Sequence, residues 1–163
     1  MFKKIIFSVL LIALSVSCTR DDICTEETPK TPLLIINFKS KINPLLAKEV
    51  PDLTVTTIIN DENVDVYKSV TRDSIAIPLN TLADTTDYLL IRGNTTNTDG
   101  NTDLITFTYQ RDNIYINRAC AFKTIYKNLI TQLEIEENNW INEIEVNTLI
   151  IENEENTHVT IFH

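Results

Sequence analysis

The sequence predicts an all-β protein, an Ig-like or related two-sheet sandwich of about eight or nine short antiparallel strands. Three observations carry this. Isoleucine, valine and threonine number 23, 9 and 22, about a third of the chain. Such β-branched side chains lose χ1 freedom in a helix and pack well on a pleated surface. Short runs with apolar residues at every second position recur, divided by polar turn clusters about every 8–12 residues. The 163 residues suit one domain, and 43% hydrophobic residues are enough for a buried core.

The first element is not part of that domain. Lys3 and Lys4 precede an apolar stretch at 5–16. Its twelve residues are too few to cross a hydrocarbon core of about 30 Å, so they read as the apolar region of an export signal. The stretch ends in Leu14-Ser15-Val16-Ser17-Cys18. This resembles the lipobox of bacterial lipoproteins, in which the cysteine sulfur takes a diacylglyceryl group and cleavage leaves that cysteine first. The resemblance implies a signal peptide at 1–17, a lipidated tether at 18–32 and a single β domain at 33–163. Its partner would be a lipid bilayer, reached through acylated Cys18, with burial of acyl chains contributing about 0.8 kcal/mol per methylene. Lipidation removes Cys18 from thiol chemistry and leaves Cys24 and Cys120. In an oxidising compartment these two are expected to form a disulfide.

Residues 19–32 are polar, and Pro29 and Pro32 favour an extended tether. A continuous apolar run at 33–38 suits a buried strand, and 39–51, with two prolines, reads as a long connection. Leu53, Val55, Thr57 and Ile59 alternate with Thr54 and Thr56 as in a strand, and Asn60-Asp61-Glu62-Asn63 turns the chain back through 64–67. Ile75, Ile77 and Leu79 alternate again, and Pro78 restricts that strand to an edge or to its own end. A strand at 88–92 is followed by a polar loop at 93–101. Strands are expected at 104–109 and 113–117, with Gln110-Arg111-Asp112 as a hairpin turn, and again at 120–123. The spacing of Ile125, Leu129, Ile130 and Leu133 fits either a short helix or a bulged strand. Strands around Ile144 and Val146, at 149–151 and at 159–162 complete the chain, the last two divided by Asn153-Glu154-Glu155-Asn156.

Several short motifs stand along the chain: Asp21-Asp22-Ile23-Cys24, Thr31-Pro32-Leu33, Ile77-Pro78-Leu79-Asn80-Thr81, the segment 103–109, Arg118-Ala119-Cys120-Ala121-Phe122 and Thr157-His158-Val159. With Cys18, they make the mature chain similar to an uncharacterised family of small Bacteroidota lipoproteins. Ala121 stands where that family has glycine. The resemblance implies export, lipidation and the cystine, and it implies no activity.

Composition excludes several functions. The formal charge of −9 becomes −11 when Lys3 and Lys4 leave with the signal, and no Lys/Arg cluster relieves it, so nucleic acid is not an expected partner. Gly93 and Gly100 are the only glycines, which excludes a P-loop or a dinucleotide-binding fingerprint. Asn97, Asp99, Asn101 and Asp103 have the alternate spacing of a calcium loop. However, Gly100 occupies the fourth position, not the sixth, and no glutamate stands at the twelfth, so a solvated hairpin loop is expected. His158 and His163 are five apart, which on a strand puts them on opposite faces as ordinary surface or edge histidines. Neither Ser69 nor Ser74 lies in a nucleophile-elbow sequence. Trp140 is expected in the core, and Glu134, Glu136, Glu143 and Glu145 on a solvated face.

No catalytic residue, metal ligand or cofactor is therefore assigned. The function expected is a non-enzymatic binding or structural one in the cell envelope, lipid-anchored at the outer membrane and facing the periplasm or the surface, with an envelope protein or glycan as partner. A hydrolase or metal-dependent enzyme on the same scaffold is the alternative. Asp73-Ser74-Ile75 and Asp84-Thr85-Thr86 resemble the O-glycosylation signal of exported Bacteroidota proteins, with Ser74 and Thr85 as acceptors. Thr19-Arg20-Asp21-Asp22 is similar to the basic-then-acidic cluster that directs some lipoproteins of this group to the cell surface.

Overall fold

A computed structural model describes residues 24, 25, 27–59 and 62–163. Among these lie ten strands: β1 (Leu34–Lys39), β2 (Val50–Ile59), β3 (Glu62–Arg72), β4 (Ser74–Ile77), β5 (Thr85–Arg92), β6 (Asn101–Asn117), β7 (Ala121–Leu133), β8 (Glu143–Val146), β9 (Ile150–Ile151) and β10 (Val159–Phe162). They form a four-stranded sheet in the order β4-β1-β10-β8 and a six-stranded sheet in the order β3-β2-β5-β6-β7-β9. No helix of the described residues is long and apolar enough to cross a membrane.

The chain divides into two compact units. The larger comprises Lys30–Ile114 and Thr124–His163. Its two sheets share one core because β1, β4, β5 and the first half of β6 turn alternate apolar residues inward. Leu34, Ile36 and Phe38 of β1 and Ile75 and Ile77 of β4 belong to the same buried cluster as Leu53 and Val55 of β2, Leu90 of β5 and Ile105 and Phe107 of β6. Each such side chain, fully withdrawn from water, contributes roughly 1.5–3 kcal/mol. Trp140 joins that core as expected, its Nε1 donating to the Leu90 carbonyl at 3.1 Å. β4 is an edge strand and Pro78 follows its last residue, where a missing amide costs no ladder bond. Gly100 closes the 93–100 loop at φ 73°, and a Cβ there would stand 2.7 Å from the Arg92 carbonyl oxygen.

The all-β two-sheet class is as the sequence predicts, with differences in detail. One pair is parallel: Ile36 lies opposite Val159 and Lys39 opposite Phe162, with β10 inserted between β1 and β8. Alternation reports which face a residue takes and is blind to strand direction. Strands also run longer than expected, for β6 continues through Gln110-Arg111-Asp112. Gln110 and Asp112 pair outward with Asn128 and Lys127 of β7, so a polar triplet here is one wet patch of strand. The segment 125–133 is a strand. Its helix-like spacing arises at Asn128, whose φ of 54° interrupts the alternation before Leu129.

The smaller unit comprises Met1–Pro29 and Tyr115–Lys123, of which residues 24, 25, 27–29 and 115–123 are described. The β6–β7 turn lies here, formed by Asn117, whose Oδ1 accepts the amides of Ala119 (3.0 Å) and Cys120 (2.7 Å). Cys24 and Cys120 are joined as a disulfide, with Cα atoms 5.1 Å apart. Ala121 has φ 56°, a conformation glycine adopts more easily.

Candidate functional site

Pro78 ends β4 and releases a loop that reaches β5 at Thr85. Four successive carbonyls of that loop are held by side chains from three neighbouring strands of the six-stranded sheet. Tyr88 of β5 donates to the Pro78 carbonyl, Tyr126 of β7 to Leu79 (3.0 Å), Tyr109 of β6 to Asn80 (2.9 Å), and the Arg111 Nη1 to Thr81 (2.9 Å). The proton inventory closes on itself around Asn80. Its amide donates to Thr86 Oγ1 at 2.9 Å, and the Tyr109 hydroxyl, 2.6 Å from Thr86 Oγ1, donates back to the Asn80 carbonyl. The Thr86 hydroxyl must then be the donor to Tyr109. Asn80 Oδ1 also accepts the Leu82 amide at 2.8 Å, and Arg111 Nε donates to Asp84 at 2.6 Å.

Burial raises the pKa of all three phenols: Tyr126 is pushed up to about 12, and Tyr88 and Tyr109 also move upward. They remain protonated donors throughout the ordinary pH range. Tyr109 and Tyr126 also meet edge to face at 4.8 Å, and Tyr88 and Phe107 at 6.2 Å, so the ring bodies are packed while their hydroxyls hold the loop.

The loop forms one wall of an open groove of about 520 Å³. The end of β2 and the start of β5 form the rest. Ile58, Ile59 and Leu82 present aliphatic surface to solvent, Leu82 being 87% exposed. Thr81 and Thr85 stand exposed beside them. Asp87 is the groove's carboxylate, and its Oδ1 accepts the Thr106 hydroxyl at 2.7 Å. Such a surface can bind apolar and hydroxylated groups, but it brings no nucleophile against a base.

Other residues singled out in the sequence are dispersed. Cys18, Arg20, Asp21 and Asp22 lie outside the described residues. Thr85 lines the groove and is exposed, as is Ser74 at the start of β4. Ser69 and Ser74 each have a hydroxyl 3.4 Å from a carboxylate, Asp52 and Asp73 respectively. The alternating set at 97–103 does not converge. Asp103 is buried and accepts the Ile141 amide at 2.8 Å and the Trp140 amide at 3.4 Å, whereas Asn101 donates to the Asn138 carbonyl. The histidines are not surface residues: His158 is 2% exposed and His163 6%. β10 sits in the middle of its sheet, and both histidines adjoin its ends. His158 Nδ1 accepts the Ile35 amide at 2.9 Å, and the His163 ring packs between Phe38 and Trp140. Glu134, Glu136, Glu143 and Glu145 are exposed.

Nothing in the sequence marked Tyr88, Tyr109 and Tyr126 as a group. Each fills an inward position on its own strand, and only the sheet order brings their hydroxyls to one loop.

Fold and groove together define a two-sheet β protein with an open surface cleft, one wall of which is hydrogen-bonded to the sheet behind it. The chain belongs to a family of unknown function (DUF6452), whose model matches residues 52–163. All residues of the groove and of the tyrosine clamp fall within that match. No curated protein and no solved structure matches the chain.

Proposed function

We propose that this protein is a lipid-anchored component of a bacterial cell envelope, at the outer membrane and facing the periplasm or the surface, and that it acts by binding and not by catalysis. Acylation of Cys18 is supported by the charged start, the apolar stretch and Ser17-Cys18. Binding is supported by one observation above others: the groove joins exposed aliphatic side chains to a loop whose four successive carbonyls are clamped. A wall fixed in advance loses little entropy when a partner docks. A protein segment offering an apolar side chain fits this surface better than a glycan does, because the groove's aromatic ring, Tyr88, is buried and offers no face for stacking on a sugar. Ser74 and Thr85 are exposed hydroxyls that a glycosyltransferase can reach, and a glycan on Thr85 would cover part of the groove.

The anchor is tested by growing cells on labelled fatty acid. Wild type takes up label and stays with membranes, whereas Cys18→Ala is unlabelled and released; labelling that persists in the variant refutes the anchor. The groove is tested by placing a photo-crosslinking residue at Leu82 in the acylated protein. A discrete envelope-protein adduct that Ile59→Asp abolishes, and that a crosslinker at exposed Ile135 does not yield, supports the reading. Identical adducts from both positions refute it. Intact-mass measurement of the native protein decides whether Ser74 or Thr85 carries a glycan.

A further inference from the structure

The hairpin tip that carries Cys120 also carries two exposed aromatic rings. Tyr115 is 55% exposed and Phe122 61% exposed, and they meet edge to face at 5.4 Å. Exposed Arg118 lies in the turn between them. The disulfide ties this tip to Cys24, with 5.1 Å between the Cα atoms. Cys24 is six residues from Cys18. Six residues reach at most about 21 Å when fully extended. An acyl chain on Cys18 therefore holds the tip close to the bilayer, and the position of the cystine makes this hold covalent.

We propose that the tip rests in the lipid interface, with Tyr115 and Phe122 seated among the headgroups and upper acyl chains. This deepens the lipoprotein reading and rests on it. An aromatic ring with a polar edge suits the headgroup zone, where tyrosine and tryptophan concentrate in membrane proteins. Arg118 can meet lipid phosphates. Charge is not the main attraction, since Asp21, Asp22, Glu26 and Glu27 lie in the same stretch of chain as Arg20. Ring burial supplies it, so the contact persists at high salt.

The test uses the acylated mature chain in vesicles of phosphatidylethanolamine and phosphatidylglycerol, with plain or brominated acyl chains. Trp140 is the chain's single tryptophan and is buried, so wild-type emission is the internal baseline. Phe122→Trp and, separately, Tyr115→Trp each introduce an indole at the tip. Two variants guard against one failing to fold, and circular dichroism and an intact disulfide identify the folded ones. The expected result is a blue-shifted added emission that brominated chains quench, at low and high salt alike, with the wild-type signal unchanged. Vesicle-bound, acylated protein whose added indoles are unquenched by bromine and as open to acrylamide as without vesicles overturns the insertion and leaves the anchor standing. Shielding from acrylamide without bromine quenching, rising with protein density, identifies contact between copies and also overturns it. Protein that carries no acyl chain and stays off the vesicles overturns both readings.

Discussion

At the scale of single residues, two buried histidines set a pH dependence. His158 is bonded twice to Ile35: its backbone amide donates to the Ile35 carbonyl at 3.0 Å, and its Nδ1 accepts the Ile35 amide at 2.9 Å. A proton on Nδ1 would destroy the second bond. Burial accordingly lowers the His158 pKa, against the opposing pull of a backbone bond to Asn153 and the charge of Glu154. Burial lowers that of His163 as well, with Lys48 and Arg92 adding to the effect against a hydrogen bond to the Lys48 carbonyl. The unfolded chain thus binds protons that the native rings refuse. Stability is complete above the ordinary histidine value of about 6.5 and is lost as pH falls from there towards the lowered native values. The urea midpoint is expected to drop between about pH 7.5 and about pH 5.5, above the ordinary carboxylate range. His158→Asn, which keeps an acceptor near Nδ1 and cannot titrate, should reduce that drop; an unchanged slope would show that His158 is not its source. Asp103 offers a second measurement. Asp103→Ala leaves the Ile141 and Trp140 amides without their acceptor, at about 1–3 kcal/mol for each buried amide, read as a lower denaturation midpoint.

At the scale of elements, the 78–84 loop owes its shape to the strands behind it. Tyr109→Phe removes one hydroxyl from the cycle through Asn80 and Thr86, and should cost about 1–3 kcal/mol. Hydrogen exchange is expected to quicken at the Asn80 and Leu82 amides and to stay unchanged in β1, and uniform quickening would mean that the loop is not separately held. Alternation made β1 and the first half of β6 legible, since their buried positions fall on every second residue, whereas in β2 the threonines between the apolar residues are buried as well. It failed where chain geometry, not polarity, decides. Gln110-Arg111-Asp112 is polar and yet strand, because its partners on β7 are polar too. The true turn lies at Asn117, where an Asx bond caps it. At 125–133 one left-handed residue, Asn128, made a strand resemble a helix.

At the scale of the whole molecule, the bond between Cys24 and Cys120 joins residues 96 apart. Closing so long a loop restricts the unfolded chain, an effect worth about 4–5 kcal/mol in the chain-entropy account. Reduction should therefore lower the melting temperature of the intact protein, and a melting curve unmoved by reductant would show that the cystine contributes no stability. The sequence alone determined the all-β class and many of the apolar positions that enter the core, because composition and alternation are properties of the chain read locally. The tertiary structure decided the parallel seating of β10 beside β1, the burial of both histidines and the convergence of Tyr88, Tyr109, Tyr126 and Arg111 on one loop. These depend on which strands become neighbours. Neighbour order comes from the packing of the whole core, and no local pattern of residues encodes it.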